Sequence, residues 1–155
     1  MSRLEYPSSQ DQPTKTSNWF EYLVEVFPHQ TDYAGAVWHG TYVGWMEEAR
    51  IGALRSVGVG YDQLVALGFE LPVVELEIRY HQFVHMGDRI KVKNRIAGLT
   101  KVRIPWEFEI ESLDGSQRYV SATTTLVVID RQTGKIRRQW PPILNEAIAK
   151  LIDNG

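Results

Sequence analysis

The hydrophobic period of this chain changes at Leu71, from that of a helix to that of a strand, and this switch restricts the available folds. In "WHGTYVGWMEEARIGALRSV", Tyr42, Trp45, Met46, Ala49, Ala53, Leu54 and Val57 recur at spacings of three and four, predicting a helix from Trp38 to Val57 with one apolar face. From Leu71 onward the period is two. "VELEIRYHQF" sets Leu76, Ile78 and Tyr80 on one face and Glu75, Glu77, Arg79 and His81 on the other. "GDRIKVKNRIAG", "TKVRIPWEFEIES" and "YVSATTTLVVIDRQTGK" follow as three further strands, parted by Gly87-Asp88, Gly98, Asp114-Gly115 and Thr133-Gly134. Ahead of the helix, "WFEYLVEVFP" alternates through Phe20, Tyr22, Val24 and Val26 and stops at Pro28. Gly58 and Gly60 end the helix before a short helical piece, and "PPILNEAIAKLI" closes the chain as a helix with proline in its first turn. Strand, long helix, then four strands in hairpin succession predicts an α+β fold, with an antiparallel five-stranded sheet wrapped around one long helix.

Composition narrows the function. With 155 residues the chain has room for one domain, expected over 18–155, behind a flexible tail over 1–17 rich in Ser, Gln, Pro and Thr. Seventeen Lys and Arg against 19 Asp and Glu give a net charge of −2, which argues against nucleic acid or an anionic membrane as partner. The absence of cysteine excludes disulfides, thiolate nucleophiles and Cys-based zinc sites. No apolar run approaches the roughly 18 residues of a membrane span, and the N-terminus lacks the apolar core of a signal peptide. A cytoplasmic location is expected.

One stretch stands apart. In "HQTDYAGAVWHGTYVGWMEEAR" an acid, a glycine, a tryptophan and a histidine lie within eight positions at the start of the long helix. "TDYAGAVWHGTYVGWMEEAR" matches an Asp-x-x-Gly-x-Val-aromatic-His/Tyr pattern that runs into Glu-x-Ala-Arg. Together with "LPVVELEIRYHQFVHMGDRIKV" and "DRQTGKIRRQWPP", it resembles the hotdog-fold acyl-CoA thioesterases of the 4-hydroxybenzoyl-CoA thioesterase type, from Phe20 to Pro142. The resemblance implies that Asp32 is the catalytic carboxylate and that the helix start at Trp38-His39 supplies the amide that polarises the thioester carbonyl. It implies an acyl-CoA substrate, with acyl carrier protein as the alternative carrier, and a homodimer or homotetramer whose acyl site lies between subunits. It implies too that basic residues of corresponding segments, here Lys101, Arg103, Arg137 and Arg138, bind the CoA phosphates. Tyr33 departs from the pattern, standing where several relatives carry Pro or Ala, and is expected to shape the substrate mouth.

The chemistry is consistent without the resemblance. A thiol leaving group has a pKa near that of cysteine, about 8.5, and departs as thiolate, so no dedicated general acid is required. One carboxylate suffices, by activating water or by forming a mixed anhydride. Helix-start amides, at the positive end of the macrodipole, hold the oxyanion. Gly35 lets backbone approach without a Cβ in the way. Tyr33, Gly35, Val37, Trp38, Tyr42 and Glu47 are candidate substrate contacts, and the His39 amide counts for more than its ring. No cofactor is expected. His81 and His85, if on a strand, lie roughly 13 Å apart and cannot share a metal. Three alternatives stay open: a non-catalytic acyl-binding module, a hotdog dehydratase, and a specialised aryl-CoA hydrolase such as one for 1,4-dihydroxy-2-naphthoyl-CoA.

Overall fold

The computed structural model describes residues 14–16 and 19–153. Strands β1 (Thr14–Thr16) and β2 (Trp19–Glu25) lead through a 3₁₀ turn (Pro28–Gln30) to helix α1 (His39–Ser56). Helix α2 (Tyr61–Ala66), β3 (Phe69–Glu70), β4 (Val73–Tyr80), β5 (Arg89–Ile96), β6 (Ile104–Ser112), β7 (Arg118–Leu126), β8 (Ile129–Asp130) and helix α3 (Pro142–Asp153) complete the chain. The main sheet runs β1-β2-β5-β6-β7-β4, with every pair antiparallel, and β3 with β8 forms a separate two-stranded sheet. Five long strands thus curve around one 18-residue helix, as the change of period predicts.

Alternation along the strands builds both faces. Ile90, Val92 and Ile96 of β5, with Trp106, Phe108 and Ile110 of β6, are buried beneath Tyr42, Trp45, Met46, Ala49, Ala53 and Leu54 of α1. Asn94 is tolerated in this core because its amide oxygen accepts the Trp106 indole N–H at 2.9 Å. On the other face β5 carries Lys91, Lys93 and Arg95, and β6 carries Glu107, Glu109 and Glu111. Arg95 meets Glu107 at 2.9 Å and Lys93 meets Glu111 at 3.2 Å, so cross-strand charges of opposite sign fix the register. Leu144, Ala147, Ile148 and Leu151 of α3 join the core. Among the described residues no helix is long and apolar enough to cross a membrane.

Three local features go beyond the local sequence pattern. Thr14–Thr16, inside the stretch expected to be a flexible tail, pairs with β2 and adds a short sixth strand at that edge. β4 leaves its apolar face largely uncovered: Leu76 and Tyr80 are 41% and 40% exposed. Among the described residues it pairs only with β7, which leaves its far edge and much of its inner face open. Gly35 has φ +77°, and a Cβ there would meet nothing within 4 Å. Left-handed backbone, rather than close approach within the chain, is what reserves that position for glycine.

Candidate active site

The loop before α1 is a small closed hairpin. Thr31 bridges Val37, the Asp32 N–H donates to the Ala36 carbonyl at 2.8 Å, and the Gly35 N–H donates to the Asp32 carbonyl at 3.0 Å. Oδ1 of Asp32 accepts the amides of Ala34 (2.9 Å) and Ala36 (3.1 Å). The side chain is thereby oriented by its own loop while the residue stays exposed, and Oδ2 has no partner among the described residues. A second strip of backbone holds the hairpin from outside. Val37 N–H donates to Val84 O at 2.7 Å, Met86 N–H to Gly35 O at 2.8 Å, and Ala36 bridges His85. Val84 N–H in turn donates to the Tyr42 hydroxyl at 3.1 Å, which ties the strip to the helix.

Helix α1 begins one residue pair on the other side of the Thr31–Val37 bridge. Trp38, the N-cap, donates its N–H to Gln30 O at 3.0 Å and offers no side-chain cap. Thr41 N–H returns to Trp38 O at 2.9 Å. The amides of His39 and Gly40 have no acceptor among the described residues, so two donors stand open at the positive end of the helix. The Trp38 indole leans on the His39 ring, centroids 4.7 Å apart, and covers Gly40 so closely that a Cβ at Gly40 would overlap it.

The remaining candidates divide by location. Tyr33 is fully exposed at the loop tip and Trp38 is 55% exposed, whereas Val37 is buried and Tyr42, at 1%, is a floor beneath the loop. Glu47 is exposed on α1; Glu48 beside it accepts the Tyr22 hydroxyl at 2.8 Å. Burial, reinforced by that bond to a carboxylate, pushes the Tyr22 hydroxyl up to about 12. Arg50 is 6% exposed, and burial draws its guanidinium below the usual range against the opposing pull of Glu47.

The basic set lies far from the acid. Lys101, at φ +54°, and Arg103 occupy the β5–β6 turn, where Arg103 meets Glu75 at 3.1 Å. Arg137 lies 3.5 Å from Asp130 and 5.7 Å from the Phe69 ring centroid, and Arg138 is exposed. Register puts all four at the end of the sheet where Leu126 pairs with both Ile104 and Val73, since Val128 O accepts Arg137 N–H at 2.7 Å. Residues 84–86, which hold the Asp32 loop, run into β5 from the opposite end. The length of eight-residue β5, roughly 25 Å, separates the two groups within one chain.

Two features escaped the sequence reading. Tyr80, read only as a strand-face residue, donates its hydroxyl to the His39 carbonyl at 2.9 Å, and its ring meets that of Tyr42 at 5.4 Å. Gln30, unremarked in sequence, anchors the helix start through its carbonyl. His81 bonds Ser121 at 2.8 Å, and no group of three His, Asp or Glu residues that could hold a metal occurs among the described residues.

Comparison with known proteins follows the same geometry. The profile of the thioesterase-like superfamily matches residues 26–151. The chain is 46% identical over 136 residues to sll0410 of Synechocystis, whose esterase name is itself provisional, covering 88% of this chain and 82% of that one. It is 27% identical over 121 residues to YneP of Bacillus subtilis, whose acyl-CoA thioesterase name is likewise provisional, covering 76% and 87%. Among solved structures, the 1,4-dihydroxy-2-naphthoyl-CoA thioesterase of Synechocystis superposes with a TM-score of 0.78 at 28% identity, covering 86% of this chain and 97% of that one. Since the match takes in the acid-bearing loop, the helix and every long strand after it, the chain belongs to the thioesterase-like superfamily, as a hotdog-fold enzyme that hydrolyses thioesters.

Proposed function

We propose that this chain cleaves acyl-CoA thioesters with Asp32 as the acting carboxylate and the first-turn amides of α1 as the oxyanion site. The observation that carries this reading is the hairpin that sets Asp32 one residue pair from the helix start, with Oδ2 and the His39 and Gly40 amides all open. Oδ2 either takes a proton from the attacking water, or attacks the carbonyl carbon itself to form a mixed anhydride that water then hydrolyses to the free acid and Asp32. The amides take the charge that builds on the oxygen, and the thiolate leaves without a proton donor. Tyr33 and Trp38, both exposed, form the mouth, with Gly35 and Val37 shaping its base, Tyr42 beneath and Glu47 at its rim; these aromatics suit an aryl or medium-length acyl group.

Two chains complete the site in this proposal. β4 has one free edge bearing exposed Val73, Val74, Leu76 and Tyr80, an apolar rim that a second β4 would cover. Antiparallel pairing of β4 with its symmetry mate brings the Asp32 end of one chain beside the Lys101, Arg103, Arg137 and Arg138 end of the other. Phosphates of CoA then meet partner cations while the thioester reaches Asp32, which favours CoA over a carrier protein. A CoA substrate also suits a cytoplasmic enzyme. Thiol release across acyl-CoAs of graded chain length and ring size tests the reading: at least one should turn over with saturation kinetics, and binding without release across the panel would make the chain an acyl-binding module.

A further inference from the structure

We infer that Tyr80 is a positioning residue for the reaction, polarising the His39–Gly40 peptide so that Gly40 N–H serves beside His39 N–H as a donor to the thioester oxygen. The inference rests on the reading of the α1 start as the oxyanion site. Its basis is one peptide unit seen from both sides. The carbonyl of that unit, on His39, accepts the Tyr80 hydroxyl at 2.9 Å; the N–H of the same unit, on Gly40, has no acceptor among the described residues. A hydrogen bond accepted at an amide oxygen draws charge along the C–N bond and makes the N–H a stronger donor. Tyr80 reaches the helix from β4, a strand 41 residues away, and is steadied by its edge contact with the buried Tyr42 ring at 5.4 Å. It therefore also pins the first turn of α1 to the strand edge. A tyrosine hydroxyl is protonated at neutral pH, and burial raises that of Tyr80 further, so it stays a donor. Gly40 suits the role because, lacking a Cβ, it allows the Trp38 indole to lie across the turn and wall one side of the open amides.

The test is Tyr80→Phe, which keeps the ring and its ring current and removes only the hydroxyl. Two measurements are made: acyl-CoA turnover, and the amide proton shift of Gly40 in a two-dimensional nitrogen–proton spectrum. The expected result is a kcat lower by about tenfold at unchanged KM, short of the 10²–10³ that losing a whole oxyanion donor costs. With it the Gly40 amide proton moves upfield, further than amides outside the first turn, at an unchanged melting temperature. An unmoved Gly40 resonance overturns the proposal whatever kcat does. A moved resonance with unchanged kcat overturns it too, and locates the failure in the role given to Gly40 N–H rather than in the Tyr80 link. The reading of Asp32 beneath it is tested separately, by Asp32→Asn, so the two failures are distinguishable.

Discussion

Asp32 and Ala36 hold each other twice: the Asp32 N–H donates to the Ala36 carbonyl at 2.8 Å, and the Ala36 N–H donates to Asp32 Oδ1 at 3.1 Å. The pair closes a five-residue turn in which one carboxylate oxygen is tied down and the other is left facing out. A loop aspartate that only capped its turn would look the same at Oδ1. What sets this one apart is the helix start directly across the Thr31–Val37 bridge, with two amides that have no acceptor among the described residues.

Tyr42→Phe tests how the loop is supported. The Val84 N–H loses its acceptor in a buried setting, which costs about 1–3 kcal/mol. For a chain of this size that lowers the melting temperature by roughly 2–4 °C per kcal/mol. Turnover should fall as well, because Val84 O holds Val37 and, through it, the loop. Thermal unfolding alongside kcat checks both; a variant as stable as the parent would show that the hydroxyl has no structural part.

Leu76→Glu tests the two-chain site. Leu76 is already partly exposed on the free β4 strand, so the single chain should tolerate the charge, whereas a β4–β4 junction should not. Light scattering at micromolar concentration is expected to give a dimer or tetramer for the parent and a monomer for the variant, with thioesterase activity lost on dissociation. A parent chain that is monomeric and fully active would remove the partner from the site.

Arg138→Ala is the cleaner test of the basic set, because Arg137 also meets Asp130 and the Phe69 ring and its loss would disturb the β3–β8 pair. KM for acyl-CoA should rise and kcat should stay, since a phosphate distant from the breaking bond is bound equally in ground and transition states. Hydrolysis of a short thioester without the nucleotide should be unaffected, and the KM effect should shrink with added salt. An equal loss on both substrates would make the residue structural.

The long helix, the five long strands and the loop acid were legible because each rests on a local pattern: apolar residues at three and four, alternation at two, and a short motif ahead of a helix. Gly35 was legible as a special position, but its positive φ was not, since spacing does not distinguish left-handed backbone from a close approach. The exposure of the apolar face of β4 was not legible, because alternation reports which side chains share a face, not whether another layer covers it. Tyr80 was missed because its link to His39 depends on the order of strands in the sheet, which no local window contains. Lys101, Arg103, Arg137 and Arg138 could be named from sequence, but their separation from Asp32 by the length of the sheet could not.

The most direct measurement of the central claim is single-turnover thiol release from a good acyl-CoA substrate by Asp32→Asn beside the parent. Asparagine keeps an oxygen for the Ala34 and Ala36 amides, so folding and melting temperature should be unchanged while the acting carboxylate is gone. The rate is expected to fall by about 10²-fold or more. Release at the parent rate by a folded Asp32→Asn chain would contradict it.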